Sequence, residues 1–214
     1  DGRGAERLRG GGIEVVGGVR AADARRAMAG WLSRIERGRP HVTLKLATSL
    51  DGRIALPDGR SRWITGDPAR AHAHLERARC DAILVGRGTC ETDAPMLDVR
   101  LPGLEDRSPR RLLLSSSSRH EDWEALATPE AISGLTDVDH LLIEGGAATA
   151  AAFLARDLVD RLLLYRAPIL IGEGRAAIGD LGLADLADAH GRWSLHDTRM
   201  LGSERLEVYE RARS

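Results

Sequence analysis

The fold is decided by residues 140–149, which read HLLIEGGAAT. The apolar run that ends at Ile143 is typical of a buried strand, and it delivers Glu144 and two glycines to an alanine-rich helix reaching about Arg156. Glycine permits close approach to the backbone, and the free N–H groups and dipole at a helix start attract anions. The segment therefore predicts a strand followed by a helix, joined by a turn that either holds a pyrophosphate or binds nothing.

Outward from this segment, the hydrophobic pattern alternates between strands and helices. Residues 42–46 alternate apolar and polar side chains, which is typical of a strand with one buried face. Asp67 and Pro68 predict the N-cap and first turn of a helix that ends near Arg79. Further strands are predicted at residues 82–85, 111–114, 140–143 and 161–166, and a hairpin at 193–209 that turns at 202–203. We predict an α/β domain with a mostly parallel sheet and a C-terminal antiparallel hairpin.

The N-terminal part of the chain has a different character. Residues 4–9 predict a short charged helix, and residues 13–16 predict a strand after a glycine turn. Apolar residues recur at helical spacing over 24–35, and Gly38 with Pro40 ends that linker helix. A strand without a sheet of its own indicates a fragment of a larger unit.

Composition and charge exclude several classes of partner. The sequence holds 31 Lys and Arg against 32 Asp and Glu, so no global charge recruits nucleic acid or an anionic membrane. Apolar runs such as residues 162–165 are too short to cross a bilayer, which predicts a soluble, cytoplasmic protein. Cys80 and Cys90 have no second pair at metal spacing, so we predict two unlinked thiols and no metal site.

Two other strand ends carry candidate binding residues, since ligands of open α/β sheets bind beyond the carboxyl ends of the strands. Residues 85–89, VGRGT, place glycines after a strand, as residues 143–149 do, and two such turns indicate an extended dinucleotide. Neither turn has the G-x-G-x-x-G spacing of a Rossmann fingerprint, so any cofactor fold is a different one. In residues 45–53, KLATSLDGR, Lys45 lies on the polar phase of the strand, and Asp51 begins a turn.

The predicted helix after Pro68 has a basic face. Arg70, His74 and Arg77 share it, which makes it either a phosphate clamp or an ordinary solvated face. Arg100 is a second guanidinium available to the same phosphate. The adjoining face, predicted to turn inward, holds Ala71, Leu75 and Ala78.

These places coincide, in order and spacing, with the signature of one protein family. The segments that carry it are 40–55 (PHVTLKLATSLDGRIA), 61–66 (SRWITG), 82–89 (AILVGRGT), 93–100 (DAPMLDVR), 144–146 (EGG), 158–160 (LVD) and 167–168 (AP). Between about Arg39 and Tyr209 the chain resembles the reductase domain of bifunctional riboflavin-biosynthesis proteins. The resemblance implies a three-layer α/β domain similar to dihydrofolate reductase.

Residues 4–9 (GAERLR) and 12–15 (GIEV) resemble the end of the family's deaminase domain. We therefore divide the chain into a deaminase remnant with a linker helix, 1–38, and a reductase domain, 39–214. The zinc chemistry of that deaminase needs a His-x-Glu together with a Pro-Cys-x-x-Cys, and the sequence lacks this pair. We predict no deaminase activity in this chain.

The resemblance also implies a reaction and the residues that perform it. Hydride passes from NADPH to the sugar carbon of a phosphoribosylamino-pyrimidinedione. This step converts the ribosyl group into a ribityl group and needs no metal. The implied NADPH contacts are Ala47, Trp63, Thr89, Asp93 and Ser116, with Gly146, Ala147, Ala148 and Thr149 around the phosphates. The implied substrate contacts are Ser61, Arg77, Leu97, Arg100 and Glu144. Three candidates remain for the proton donor: Lys45, Asp51 and Asp93.

The assembly and two other functions complete the expectations. Related domains pair, so the resemblance implies a homodimer. A dihydrofolate or other pteridine reductase of the same fold is one alternative, which activity on dihydrofolate would identify. A non-catalytic nucleotide-binding module is the other, and it predicts cofactor binding without turnover.

Overall fold

The computed structural model describes residues 3–61, 63–117 and 120–213. Arg62 of the 61–66 segment, and residues 1, 2, 118, 119 and 214 of the predicted domains, lie outside this part of the chain. The described residues form an eight-stranded sheet. Its strands are β1 (His41–Thr48), β3 (Ala82–Gly86), β4 (Arg110–Leu114), β5 (Glu124–Leu126), β6 (His140–Ile143), β7 (Arg161–Arg166), β9 (Trp193–Leu201) and β10 (Glu204–Arg211). They lie in the order β5-β4-β3-β6-β1-β7-β10-β9, and β10 alone runs antiparallel to the other seven.

Helices and a small ribbon surround this sheet. The helices are α1 (Arg3–Gly10), α2 (Ala21–Ala27), α3 (Ala29–Arg37), α4 (Asp67–Ala78), α5 (Arg87–Asp93) and α6 (Ala147–Ala155). Short 3-10 turns lie at Glu105–Arg107, Pro129–Gly134 and Leu186–Ala189. The ribbon pairs β2 (Arg53–Ala55) with β8 (Arg175–Ala176).

The central strands are covered on both faces, because parallel strands need helices on each side to exclude water. On one face α6 packs Phe153 against the apolar side chains of β1, including Val42 and Leu44. On the other, α4 packs Ala69 and Ala73 against β7 and β10. The predicted three-layer α/β architecture, with its mostly parallel sheet and C-terminal hairpin, is confirmed.

Helix α4 corrects two predictions. Gly66, rather than Asp67, is the N-cap, and its N–H donates to the carboxylate of Glu204 at 3.0 Å. The inward face is correct in part: Ala78 is buried as predicted and Leu75 is half-buried, but Ala71 is exposed and Ala69 and Ala73 are buried instead. Alanines fall on several faces of this helix, so apolar spacing alone does not fix which face packs on the sheet.

The N-terminal segment also differs from the prediction. Residues 13–16 form no strand, since no described strand lies beside them to complete a ladder. The linker is two helices, α2 and α3, that meet at Met28. The second attaches to the sheet through Gly30, where a Cβ would meet the His140 ring at 2.5 Å, and through Arg34, which pairs with Asp139 at 3.0 Å.

None of the described helices is long and apolar enough to cross a bilayer. Cys80 and Cys90 are free thiols, as predicted. Burial raises the pKa of Cys80 to about 12, so this thiol stays protonated and behaves as a packing group.

Asp160 ties the start of the sheet together. Its buried carboxylate accepts two hydrogen bonds from Arg39, at 2.7 and 3.0 Å, and one from the backbone N–H of Val42 at 2.9 Å. Burial opposes ionisation, but the hydrogen bonds and charge of Arg39 outweigh it and lower the pKa of Asp160 to about 2. The ionised carboxylate therefore stabilises the folded chain.

Replacement of Asp160 by asparagine is expected to lower the free energy of unfolding by about 2 kcal/mol at pH 7. Because the folded pKa is lower than the unfolded one, this stabilisation is present above pH ~4 and is lost as the pH falls toward 2. Urea unfolding of both chains at pH 7 and near pH 2 measures the difference. Asp137→Asn, which removes an exposed partner of Arg110, is the control and should cost less than about 1 kcal/mol; an equal loss in both variants would contradict the assignment.

Candidate functional site

A cleft of about 700 Å³ lies at the carboxyl ends of β3, β4 and β6. This is the edge of a parallel sheet at which ligands bind in open α/β folds. The β2–β8 ribbon supplies one side of the cleft through Ala55 and Arg175. The cleft brings together eight of the residues singled out from the sequence: Ser61, Thr89, Asp93, Glu144, Gly146, Ala147, Ala148 and Thr149.

The two glycine turns meet in this cleft because Thr149 packs against both. A Cβ on Gly86 would overlap the Oγ1 of Thr149, and a Cβ on Gly145 would lie 2.6 Å from its Cβ. On the other side, a Cβ on Gly146 would lie 3.8 Å from the Oγ1 of Thr89. The glycines therefore let α5 and α6 start side by side.

Gly86→Ala is expected to destabilise the chain by about 2 kcal/mol, because the added methyl overlaps a buried hydroxyl. Thr149→Ala in the same chain removes that hydroxyl and should restore part of the loss. The same second substitution should not rescue Gly145→Ala, whose methyl meets the Cβ that alanine retains. Thermal and urea unfolding of the single and double variants measure this coupling, and additive losses at Gly86 would contradict it. Gly88→Ala, with nothing within 4 Å, is the control and should change stability by less than about 0.5 kcal/mol.

The start of α6 has the properties of an anion site. Its N-cap, Gly146, makes no side-chain capping bond, and the next three residues line the cleft. The backbone N–H groups of 147–149 belong to the first helical turn, which has no intrahelical acceptors, and they lie at the positive end of the helix dipole. Around Gly88 the same cleft has open space beside the backbone. These features fit the phosphates of a dinucleotide.

Glu144 lies at the centre of a buried charge network. It accepts two hydrogen bonds from Arg77, at 2.7 and 2.9 Å, in bidentate geometry. The Nζ of Lys45 lies 3.6 Å from its Oε2, because β1 pairs with β6 in register and Lys45 comes one residue beyond the Leu44–Ile143 pair. Burial opposes ionisation of Glu144, but Lys45 and Arg77 outweigh it and lower its pKa to about 2. The carboxylate is therefore charged and held in one orientation.

The loop after α5 completes the setting of Arg77. The backbone carbonyl of Asp98 accepts a hydrogen bond from Arg77 at 3.0 Å, and the Nδ1 of His74 lies 3.1 Å from the same oxygen. Arg100 lies on the other side of Asp98, with its Nε 3.4 Å from the Asp98 carboxylate and its guanidinium exposed. Leu97 is buried with φ +54°, a left-handed conformation that a non-glycine residue adopts at a cost and that often marks functional sites. It lies outside the cleft lining.

The three proton-donor candidates occupy different settings. Asp51 accepts hydrogen bonds from the Ser49 hydroxyl at 2.6 Å and from the N–H groups of Ile171 and Gly172 at 3.1 and 2.7 Å. The bond from Ser49, followed by that from Gly172, lowers the pKa of Asp51 to about 2. This aspartate therefore anchors a turn and holds no proton near neutral pH. Asp93, the last residue of α5, lines the cleft. Lys45 is not on the lining but pairs with Glu144, which is.

The remaining predicted cofactor contacts lie outside the cleft lining. Ala47 faces the α4 layer, where it packs beside Tyr165. Trp63 is largely exposed, and the Arg70 guanidinium lies 4.5 Å from its ring centroid. Ser116 is exposed just after β4, at the same edge of the sheet.

Other lining residues were not singled out from the sequence: Ile54, Ala55, Gly59, Leu114 and Arg175. Arg175 is the most informative of them, because its guanidinium packs against Gly59, where a Cβ would lie 2.9 Å away. The sequence signal that could have identified Arg175 is the Gly172-Glu173-Gly174 turn directly before it. Arg87, in the second glycine turn, is another cation on the lining. Its Nε lies 4.0 Å from the carboxylate of Glu91.

Known proteins share this fold. The structure of a diaminohydroxyphosphoribosylaminopyrimidine deaminase/5-amino-6-(5-phosphoribosylamino)uracil reductase from Thermotoga maritima matches with a TM-score of 0.82 and 27% identity, covering 98% of this chain and 67% of that one. Dihydrofolate reductase from Enterococcus faecalis, solved with NADP(H), matches with a TM-score of 0.58 and 16% identity, covering 81% of this chain and 97% of that one. The protein is thus of the class with a dihydrofolate-reductase-like α/β fold.

The sequence comparisons give the family. The model of the RibD C-terminal domain matches residues 40–204. Riboflavin biosynthesis protein RibD of Mycobacterium tuberculosis is 38% identical over 226 residues, covering 96% of this chain and 65% of that protein. The chain belongs to the RibD C-terminal domain family, as its motifs predicted, and it spans about two thirds of the length of this relative.

Proposed function

We propose that this chain reduces 5-amino-6-(5-phosphoribosylamino)uracil with NADPH, in the pathway to riboflavin. The observation that carries the proposal is that one cleft holds both glycine turns and Glu144, whose carboxylate Arg77 and Lys45 keep charged from behind the lining. A dinucleotide bound along the turns ends beside this fixed carboxylate. The relatives named RibD, and the reductase named for the Thermotoga protein, supply the substrate.

The cofactor lies along the two glycine turns in this proposal. The N–H groups of 147–149 bind its pyrophosphate, and Thr89 and Asp93 contact its nicotinamide half. Ala47, Trp63 and Ser116 are further contacts that the family resemblance assigns. NADPH supplies the hydride, so the protein has to bind, orient and exclude water.

Arg87 and Arg175 are proposed to read the 2′-phosphate that distinguishes NADPH from NADH, because guanidinium groups recognise phosphate in bidentate fashion. Arg87→Gln and Arg175→Gln are each expected to raise the KM for NADPH about 10-fold, or ~1.4 kcal/mol, and to leave the KM for NADH nearly unchanged. Steady-state kinetics with both cofactors measure this. Arg156→Gln, at the far end of α6, is the control. An equal loss with NADH would contradict the role.

The substrate binds against the Glu144 network. Glu144 accepts hydrogen bonds from the ribose hydroxyls, and Arg77 keeps N–H groups for the ribose phosphate beside those it donates to Glu144. Arg100 is the second guanidinium for that phosphate, and Ser61 and Leu97 complete the contacts that the family resemblance assigns. The C1′–O4′ bond breaks, O4′ takes a proton, and hydride adds to C1′ of the resulting iminium, which leaves a ribitylamino group.

Lys45 is the proton donor that the local chemistry supports best. Its ammonium lies 3.6 Å from Glu144, which orients it toward the ribose. Asp51, with three hydrogen bonds to its carboxylate and a pKa of about 2, has no proton to give near neutral pH. Asp93 keeps its role at the cofactor.

The direct test is the loss of NADPH absorbance when the purified chain meets 5-amino-6-(5-phosphoribosylamino)uracil, with dihydrofolate run in parallel. Turnover of the pyrimidine, with a sharp rise in KM in Arg100→Ala and Arg77→Ala, is the expected result. Oxidation with dihydrofolate alone would identify a pteridine reductase, and cofactor binding without turnover would identify a nucleotide-binding module. A pteridine ring is held by a carboxylate in an apolar cleft, whereas Glu144 is already compensated by two cations.

Three broader assignments accompany this proposal. Residues 1–38 belong to a deaminase remnant and linker, and the reductase starts at 39. The protein acts in the cytoplasm as a homodimer, as related domains do. Leu195 and Met200, exposed on the edge strand β9, support a paired surface there, and sedimentation equilibrium tests it.

A further inference from the structure

A second cavity, of about 530 Å³, lies at the opposite edge of the sheet from the cleft. The amino ends of three parallel strands open into it, through His41 of β1, His140 of β6 and Arg161 of β7. Residues of α2 and α3, including Ser33, form its other wall. Its volume is that of a small-molecule site, and no step of the proposed reaction uses it.

The cavity carries an excess of positive charge. Seven arginines and four carboxylates line it. Each carboxylate is already paired with a guanidinium: Glu36 with Arg25 at 2.6 Å, Glu76 with Arg79 at 2.7 Å, Asp160 with Arg37 at 2.8 Å, and Glu210 with Arg26 at 2.8 Å. Arg39 and Asp157 join these ion pairs from outside the lining, and so does Asp23, which pairs in turn with Arg20. These two cations and two carboxylates cancel and leave the excess unchanged. A cation entering the cavity would meet only compensated carboxylates.

Three buried polar atoms of the lining have no hydrogen-bond partner within the described residues: the Oγ of Ser33, the Nδ1 of His41 and the Nε of Arg161. Ser33 is only 2% exposed. Such atoms are rare in folded proteins, because each costs about 1–3 kcal/mol when it is left unpaired. The guanidinium N–H can only donate and the hydroxyl can also donate, so a ligand with acceptor oxygens satisfies both.

His41 is compatible with such a ligand. Burial lowers its pKa to about 4, with His140 and Arg161 nearby. Its ring is therefore neutral at pH 7 and offers either an N–H or a lone pair at Nδ1, according to its tautomer. An acceptor oxygen in the cavity selects the tautomer that donates.

We propose that this cavity binds a small phosphate-bearing anion. A phosphate group has several acceptor oxygens, enough for Ser33, His41 and Arg161 together, and its charge matches the excess of guanidinium. The cavity has room for an organic group attached to the phosphate. The site is separate from the cleft, since the two lie at opposite edges of one sheet.

Calorimetric titration of the whole chain with inorganic pyrophosphate tests this. The wild type is expected to bind it, Arg161→Gln to weaken binding at least about 10-fold, and Ser33→Ala to weaken it about 3-fold or more. Ser33→Ala removes only a hydroxyl, so it remains informative if Arg161→Gln, which takes one partner from the buried Glu76, folds poorly. Arg110→Gln, an arginine at the same edge of the sheet but outside the cavity, is the matched control and should bind like the wild type.

Each outcome decides the proposal. No binding by the wild type, or wild-type affinity in both Ser33→Ala and Arg161→Gln, would overturn it, the latter because the anion then lies elsewhere. Citrate binding more tightly than pyrophosphate would replace the phosphate class with a carboxylate. Ser33→Ala should keep full reductase activity, so failure of this site and failure of the proposed reaction can be told apart.

Discussion

Glu144→Gln is expected to lower kcat/KM for 5-amino-6-(5-phosphoribosylamino)uracil about 100-fold, or ~2.7 kcal/mol, and to lower the free energy of unfolding by about 3 kcal/mol. Glutamine keeps the size of the side chain and can still accept one hydrogen bond from Arg77. It removes the charge that compensates Arg77 and Lys45, whose side chains are only 13% and 20% exposed. Breaking a buried pair by removing one partner is costly, because the remaining charge stays buried.

The pH dependence separates this effect from a simple packing defect. The folded pKa of Glu144, about 2, lies below its ordinary value of 4.5, so its stabilisation is present above pH ~4.5 and is lost as the pH falls toward 2. Urea unfolding should therefore show a large difference between Glu144→Gln and wild type at pH 7 and a small one near pH 2. Glu91→Gln, an exposed partner of Arg87, is the matched control and should cost less than about 1 kcal/mol. A difference that persists at low pH would assign the loss to shape rather than charge.

Much of the fold could be predicted from local pattern, because the parallel strands are short apolar runs followed by glycine or polar turns. From residues 140–149 the strand, the turn and the start of α6 were predicted, and the structure has the same bounds for the strand, 140–143. Prediction from local pattern failed where a residue distant in the sequence, or a neighbouring strand, determines the structure. Residues 13–16 have the composition of a strand but no described strand beside them, and the start of α4 is set by Glu204 reaching Gly66 from β10.

The candidate site was partly predictable for the same reason. Residues just after parallel strands converge at one edge of the sheet, which is why Thr89, Glu144 and 146–149 line one cleft. The bidentate pairing of Arg77 with Glu144 was not predictable, since they are 67 positions apart and meet only because α4 packs on the sheet and brings Arg77 to the end of β6. Arg175 was missed because the pairing of β2 with β8 joins segments that show no local periodicity.

Lys45→Met is expected to lower kcat about 1000-fold while leaving the KM for NADPH nearly unchanged, as for the loss of a positioned general acid. Methionine keeps much of the apolar stem of Lys45, whose ammonium lies 5.8 Å from the centroid of the Tyr165 ring. The loss therefore comes from the missing ammonium, as proton donor or as counter-charge of Glu144, and not from packing. Single-turnover measurements with NADPH that carries deuterium at the transferred position separate the reduction step from substrate binding and product release.

Two controls decide whether Lys45 acts directly. Lys45→Arg keeps the positive charge beside Glu144 but not the ammonium, so a variant that is stable yet still slow assigns the effect to proton donation rather than to charge compensation. Asp51→Asn should disturb the turn held by Ser49, Ile171 and Gly172, with a loss of stability and only a small change in kcat. If Asp51→Asn or Asp93→Asn abolished turnover while Lys45→Met retained it, the proton would come from a carboxyl group. The 3.6 Å approach of Lys45 to Glu144 would then serve only to hold that carboxylate in place for the ribose.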